Sequence, residues 1–438
     1  MVGWLLPVIV VACCACGRDH HVFEEAIAGD LAASPGVAVL VEHGGEIVFD
    51  RAFGSSDLEN ETPMTTDSVF CIGSISKEFG AAAIMQLVED GTLRLDDLLS
   101  QYLPQFPRAD RIRIRDLLRH TTGIVDFEYE GTWPTTMSLP RTTDEVIATF
   151  RDLPPRFEPN TQWSYSTSNY VLLGKIIELV THQPLAWYMK THVFDRAGLA
   201  NTRFCDPDQR IAHRAHGYSL RSGTWFPAPW SWLPEFGIGG GICSTTHDLL
   251  AWQHALEEGR VVSAASFREM STPTPLADGT PIGYGFGLFE GEVAGHRIRA
   301  HSGGVSGFNA ELTHYLDDDL RIVALVNSED APNPEFDLAA SVLHIGTAAP
   351  VPIAPTELAK YQRTILFGPT VLAIAPHDGG LALQATFLHE PPGDWTPLVY
   401  SGDDTFETST RWLRLHYRVE HGRVIRAELH LGEMTLYQ

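Results

Sequence analysis

The chain has 438 residues, enough for two or three domains' worth of core or for one large enzyme with an appendage. Hydrophobic residues make up 44% and charged residues 20%, ordinary for a globular protein, which excludes disordered, collagen-like and coiled-coil chains. With 31 basic against 55 acidic residues the net charge is −24, so the basic surface that displaces counterions from phosphates is missing and nucleic-acid binders are excluded.

The first segment, residues 1–17, reads MVGWLLPVIVVACCACG, an apolar run followed by small residues and cysteines. It is too short to span a bilayer comfortably as a permanent helix, and it predicts an export signal. Cys16, placed after Ala15, resembles the modified cysteine of a bacterial lipoprotein signal; Cys13, after Val10-Val11-Ala12, fits more loosely. The expectation is therefore a periplasmic or cell-envelope protein with a possible membrane tether through a lipidated N-terminal cysteine. Three cysteines remain in the body, Cys71, Cys205 and Cys243. They are odd in number, far apart and without Cys-x-x-Cys spacing, so they read as small buried hydrophobes, neither a disulfide framework nor a zinc site.

Downstream, residues 36–53 give two β-rich runs joined by Gly44-Gly45, a hairpin signal. Residues 74–90 are apolar at helical spacing and closed by Gly91, a helix. Residues 92–260 read as mostly helix and loop with Pro-rich breaks, and a second helix covers about 168–181. From His296 the β period returns in three short runs with tight connections. Strands, a long helical insertion, then strands predict an α+β fold in which the N-terminal hairpin joins a C-terminal antiparallel meander, over residues 22–347. A Pro- and Ala-rich linker at 348–355 precedes short β-like runs, which predict a small antiparallel β domain over 356–438.

The chemistry-bearing residues are few. Lysine occurs only at 77, 175, 190 and 360, and Ser74-Ile75-Ser76-Lys77 is the one Ser-x-x-Lys. Three residues apart on a helix, Ser74 and Lys77 share a face, and a lysine whose pKa is lowered by burial can take the serine's proton. The helix N-terminus adds donors where an oxyanion forms. Tyr165-Ser166-Thr167 lies just before the second helix, placing a phenol that can pass a proton between serine and leaving group. His301-Ser302-Gly303-Gly304 ends a predicted strand, where glycines let backbone approach a substrate closely.

These three motifs, in this order and spacing, resemble the serine β-lactamase and penicillin-binding protein family, in its class C-like branch, which also holds D-peptidases and esterases. The resemblance runs over roughly residues 25–345 and includes the stretches IRIRDLLRHTTGI, WSYSTSNYVLLGKIIE, GGGICSTTHDLLAW and YGFGLF. It implies a β-lactamase/transpeptidase-like fold, an antiparallel sheet flanked by helices with a helical insertion, and no cofactor or metal. Ser74 is then the acylated nucleophile, Lys77 its proton partner, Tyr165 the general base and acid, and His301 a catalytic-site residue where class C enzymes carry lysine. The amides of Ser74 and Gly304, beside Gly303, form the oxyanion site. Thr167 departs from the family's Tyr-x-Asn, which puts recognition of a β-lactam or peptide amide in doubt; Asn169 matches a second, structural position.

The resemblance implies a serine hydrolase of a small-molecule or peptide substrate through an acyl-enzyme on Ser74, with an ester or D-peptide favoured. A true β-lactamase and a catalytically weak binding or assembly protein on the same fold are the alternatives. The His120-Thr121-Thr122-Gly123 stretch reads as structural, its imidazole bonding backbone near the cleft, and Gly239-Gly240-Gly241 as a turn in the cleft wall. His213 and His216 read as isolated on a loop, and no metal-ligand spacing is present. Trp225, Trp230 and Trp232 either line the cleft or pack as core.

Overall fold

The computed structural model describes residues 34–128, 139–206, 209–229, 233–331, 333–345, 351, 353–367, 370–377, 380–387, 395–402, 404–407, 413–420, 423–431 and 434–437. The leader with Cys16, and Trp230 and Trp232, lie outside the described residues.

Strands β1 (Val37–His43) and β2 (Glu46–Phe53) form the N-terminal hairpin across Gly44-Gly45. Three helices of the intervening segment matter for the site: α1 (Ser76–Glu89), α2 (Thr167–Thr181) and α3 (Thr246–Glu257). The chain then returns through β3 (Phe289–Val293), β4 (His296–Val305), β5 (Phe308–Tyr315) and β6 (Leu320–Val326). The six strands make one antiparallel sheet in the order β3-β4-β5-β6-β1-β2. β1 closes it by pairing with β6, Val37 opposite Val326 and His43 opposite Leu320, which is the predicted union of hairpin and meander.

Both faces of that sheet are covered, so β1 and β6 are apolar over most of their length and do not alternate. Ala38, Leu40, Leu312, Val323 and Leu325 face the helices, while Val39, Val41, Ile322 and Ala324 face the helix Glu335–Leu343 through Leu338 and Ala339. Helix α1 is buried along nearly its whole length, because it runs through the middle of the helical layer. Phe79 stacks on Trp252 of α3 with ring centroids 4.0 Å apart. The indole N–H of Trp252 in turn donates to Glu78 at 2.8 Å, which keeps a carboxylate satisfied inside the core.

The cysteine expectation is corrected. Cys205 and Cys243 form a disulfide, joining the short strands Arg203–Phe204 and Ile242–Ser244 near their paired ends. Cys71 lies directly across the ladder from Cys243, its Sγ 3.6 Å away, and stays a free buried thiol pushed up to about 12 by burial. An odd count hid a bridge because one of the three sulfurs is a bystander.

Beyond the linker, eight antiparallel strands from Arg363–Phe367 to Met434–Tyr437 form a sheet of their own. They close a separate core around Leu358, Tyr361, Ile374, Leu383, Phe406, Leu415 and Tyr417 and do not extend the main sheet.

The disulfide spans 38 residues of chain, for which loop-closure entropy gives about 3–4 kcal/mol of stabilisation. In a Cys71→Ala background, where the third thiol cannot re-pair, Cys205→Ala is expected to lower denaturant-unfolding stability by roughly that amount. A change under about 0.5 kcal/mol would contradict a stabilising bridge.

Candidate active site

Ser74 occupies a single 3₁₀ turn, Gly73–Ile75, that leads directly into α1. Lys77, one turn on, is fully buried. Its ammonium donates to the Ser74 hydroxyl at 2.9 Å, to the Gly239 carbonyl at 2.5 Å and, more weakly, to the Thr167 hydroxyl at 3.4 Å. It also lies 4.8 Å from the centroid of the Tyr165 ring. Burial lowers its pKa to about 8, against the pull of the Glu128 and Asp126 carboxylates, which raise it. Lys77 is therefore a cation that gives up its proton near neutrality.

Tyr165 stands at the mouth of α2 with its hydroxyl buried beside Ser74. Burial raises its pKa well above 10, and the Ser74 hydroxyl acts on it in the opposite sense. The phenol thus holds its proton and faces the serine. Strand β4 brings Gly303 and Gly304 against the serine turn. A Cβ on Gly303 would sit 2.0 Å from the Ile72 carbonyl and 3.1 Å from the Ser74 amide nitrogen. Gly73, at φ +50, would in turn drive a Cβ to 2.9 Å from the Gly304 amide nitrogen. Only bare backbone lets the Gly303–Gly304 segment pack this closely on the serine turn, which puts the Ser74 and Gly304 amides on one side of the site, where paired oxyanion donors would stand.

His301 is buried beside this cluster. Its Nδ1 lies 2.6 Å from the Ser302 carbonyl, an acceptor, so Nδ1 carries the proton. Nε2 is then the acceptor, and the Tyr284 hydroxyl donates to it at 3.1 Å. Burial, and then the nearby Lys77 charge, lower its pKa to about 3. Both ring nitrogens are engaged and the ring is neutral.

The structure therefore brings Ser74, Lys77, Tyr165, Thr167, His301, Gly303 and Gly304 into one site. It adds residues that sequence reasoning missed. The Thr167 amide donates to Asp126 at 2.9 Å, anchoring the N-terminus of α2 on a carboxylate. Glu128 interacts with the Thr167 hydroxyl, and its pKa is raised to about 7 by burial and then by Asp126. Asp126 is raised as well, by burial. The acids alternate in Ile124-Val125-Asp126-Phe127-Glu128, just after the His120-Thr121-Thr122-Gly123 stretch, and only the fold turns both toward Lys77. Gly239, expected in a cleft-wall turn, supplies the carbonyl that holds Lys77.

The expected backbone bond of His120 is present, its Nδ1 accepting from the Ser166 amide at 3.2 Å. His216 is not isolated, as it pairs with Asp57 at 3.5 Å. Asp57, Glu59 and His216 form a surface group of metal-ligating types, but Asp57 and Glu59 already accept from Asn60 and Tyr218. Trp225 sits half-buried on a short hairpin opposite Leu220.

The beta-lactamase family's sequence profile matches residues 23–346. The chain is 31% identical over 339 residues to penicillin-binding protein 4* of Bacillus subtilis, covering 74% of this chain and 75% of that protein. It is 30% identical over 299 residues to a D-aminopeptidase of Brucella anthropi, covering 67% of this chain and 56% of that longer protein. Among solved structures, the octameric penicillin-binding protein homologue from Pyrococcus abyssi superposes with TM-score 0.67 at 24% identity, covering 97% of this chain and 100% of that one. The D-amino acid amidase from Ochrobactrum anthropi SV3, complexed with D-phenylalanine, has TM-score 0.65 at 23% identity, covering 75% and 97%.

The electrostatics of Lys77 set a pH signature. If neutral Lys77 draws the Ser74 proton, labelling of Ser74 by a fluorophosphonate rises with pH through about 8. From pH 7 to pH 9 that is roughly a tenfold gain, as the neutral fraction grows from about one eleventh to about ten elevenths. Removing a carboxylate that raises Lys77 moves the midpoint down, so Glu128→Gln is expected to shift the profile to lower pH. A profile flat from pH 6 to 9 would contradict this assignment.

Proposed function

The chain belongs to the beta-lactamase family and is a serine hydrolase, and on that premise we propose that it removes an N-terminal residue from D-amino-acid amides or short D-peptides through an acyl-enzyme on Ser74. The observation that carries this reading is the acidic pair. Asp126 and Glu128 bring two carboxylates to the Lys77–Thr167 side of the site, where a substrate's free ammonium gains a partner. At position 301 a carboxylate finds no cation, because the His301 ring is neutral with both nitrogens engaged. A β-lactam, or a peptide cleaved next to its C-terminal carboxylate, presents the charge that this site leaves unpaired. The D-aminopeptidase and D-amino acid amidase likenesses point the same way.

In this reading Ser74 Oγ attacks the carbonyl carbon, and neutral Lys77 takes the hydroxyl proton as the C–O bond forms. The oxyanion is held by the Ser74 and Gly304 amides, beside Gly303. The Tyr165 phenol gives its proton to the departing amine and recovers one through Lys77. Water then attacks the acyl-enzyme by the same relay in reverse. Thr167 replaces the amide of the family's asparagine with a hydroxyl that links Lys77 to Glu128. His301 transfers no proton and acts as a neutral wall.

The substrate test compares D-alanine and D-phenylalanine p-nitroanilides, their N-acetyl forms, a short-chain p-nitrophenyl ester and a penicillin, with intact mass as the second readout. Free-amine anilides are expected to turn over, N-acetylation to cost at least about tenfold in kcat/KM, and Ser74→Ala to abolish turnover. Glu128→Gln raises KM for free-amine substrates alone. Equal cleavage of free and acetylated anilides sinks the ammonium-recognition reading. A stable penicilloyl adduct on Ser74 makes the chain a penicillin-binding enzyme.

We further propose that residues 1–17 direct export, with Cys16 lipidated, and that residues 22–347 fold apart from residues 356–438. A stabilising disulfide suits an oxidising compartment, and the separate cores suit the division. One expression series tests both. The full chain is expected in the membrane fraction and Cys16→Ser in the soluble fraction, while a chain stopped after Ala354 stays folded and fluorophosphonate-labelled. Equal fractionation of Cys16→Ser and parent sinks the tether, and an aggregated truncation sinks the division.

A further inference from the structure

We propose that His120 is a positioning residue for the reaction, holding Tyr165 over Ser74 by gripping the chain on both sides of it. The inference rests on the proposed role of Tyr165. His120 leaves the short helix Ile114–Leu118 in the left-handed region, at φ +59, and is fully buried. Its backbone carbonyl accepts from the Ser164 amide at 3.1 Å, and its Nδ1 accepts from the Ser166 amide at 3.2 Å. Its ring packs on the Tyr165 ring between them, with centroids 4.4 Å apart. One residue thus holds 164, 165 and 166 by three different contacts.

The same Nδ1 lies 3.2 Å from the Asn169 amide nitrogen on the first turn of α2. The Asn169 carbonyl oxygen accepts from the Thr122 hydroxyl at 2.8 Å, and that hydroxyl accepts from the Ile124 amide at 3.0 Å. The chain of bonds therefore ties the tyrosine segment to α2 and to the loop that carries Asp126 and Glu128. Because Nδ1 accepts, it carries no proton, and the ring's contacts named here are with Ser166, Asn169 and the Tyr165 ring. Its effect on the reaction runs through Tyr165.

A left-handed residue with an acceptor at the Nδ1 position suggests the variants. Asparagine tolerates this backbone and places its carbonyl oxygen near where Nδ1 lies. Leucine keeps bulk without an acceptor, and glycine keeps the backbone without either. His120→Leu and His120→Gly are expected to lose about 10- to 100-fold in kcat with KM within about twofold, since a displaced proton donor slows the chemical step and not binding. His120→Asn is expected to recover to within about threefold of the parent.

The decisive comparison is non-additivity on the best substrate of the panel, with melting temperature recorded for each variant. Tyr165→Phe is expected to be slow, and His120→Leu is expected to cost nothing more in that background. If Tyr165→Phe is as fast as the parent, the proposed reaction fails. If Tyr165→Phe is slow but folded His120→Leu or His120→Gly keeps parental kcat, or the two losses simply add, His120 does not act through Tyr165. An asparagine variant that is folded yet as slow as leucine also overturns the acceptor role.

Discussion

A lysine ammonium closed off from water is the constraint around which this molecule is arranged. Burying an uncompensated charge costs several kcal/mol even after relaxation, so each surface packed on Lys77 has to return part of that cost. Ser74 and Thr167 offer hydroxyls, Gly239 a carbonyl, Tyr165 and Tyr170 their ring faces, and Asp126 and Glu128 their charge. These groups come from separate stretches of chain: the serine turn, the loop after His120, the start of α2 and the glycine turn before the Ile242–Ser244 strand. Compensating one charge therefore fixes the relative positions of nearly every element that lines the site. The compensation is incomplete, and the remainder appears as a lysine that releases its proton near neutrality.

The sheet supplies the other half of the site through rigidity. β4 is an inner strand whose Gly303–Gly304 end pairs with Ala310 and Asn309 of β5, so that end cannot drift from the serine turn without breaking ladder bonds. Contact at the distances found here is available only to glycine. The side-chain half of the chemistry thus sits on the helical layer and the backbone half on the sheet, with the reacting atoms at the seam. A site built across two packed layers inherits the precision of both cores.

Legibility in the sequence followed locality. Ser74 and Lys77 are three residues apart on one helix face, and the union of hairpin and meander followed from runs of β period at both ends of a helical insertion, whereas strand Phe289–Val293 and the strand order came from the fold. Tyr165, His301 and the glycines were legible through resemblance, because no local pattern marks a tyrosine before a helix as a proton donor. Asp126 and Glu128 were invisible, since two acids in a loop read as solvated until the fold turns them inward. Cys205 and Cys243 were misread for a related reason. Register places Cys71 opposite Cys243, yet the bridge goes to Cys205 on the other neighbouring strand, and only three-dimensional placement decides between two adjacent candidates.

The sign of charge around the reacting carbonyl follows from these placements. A histidine at 301 does not imitate a lysine, because a cation there would be a second positive charge beside Lys77. The fold removes that repulsion by proton bookkeeping: the Ser302 carbonyl fixes the proton on Nδ1, the Tyr284 hydroxyl fills Nε2, and the ring stays neutral far below physiological pH. With His301 neutral, Lys77 faces two carboxylates across the Thr167 hydroxyl, and the Arg156 charge also acts on Asp126. Burial raises both acids, and the charge of Asp126 adds to the rise at Glu128, which is pushed up to about 7. In the proposed reading, a ligand bearing an ammonium relieves that burden, whereas one bearing a carboxylate adds to it. The proposed electrostatic preference is then a consequence of how the protein keeps its own lysine buried.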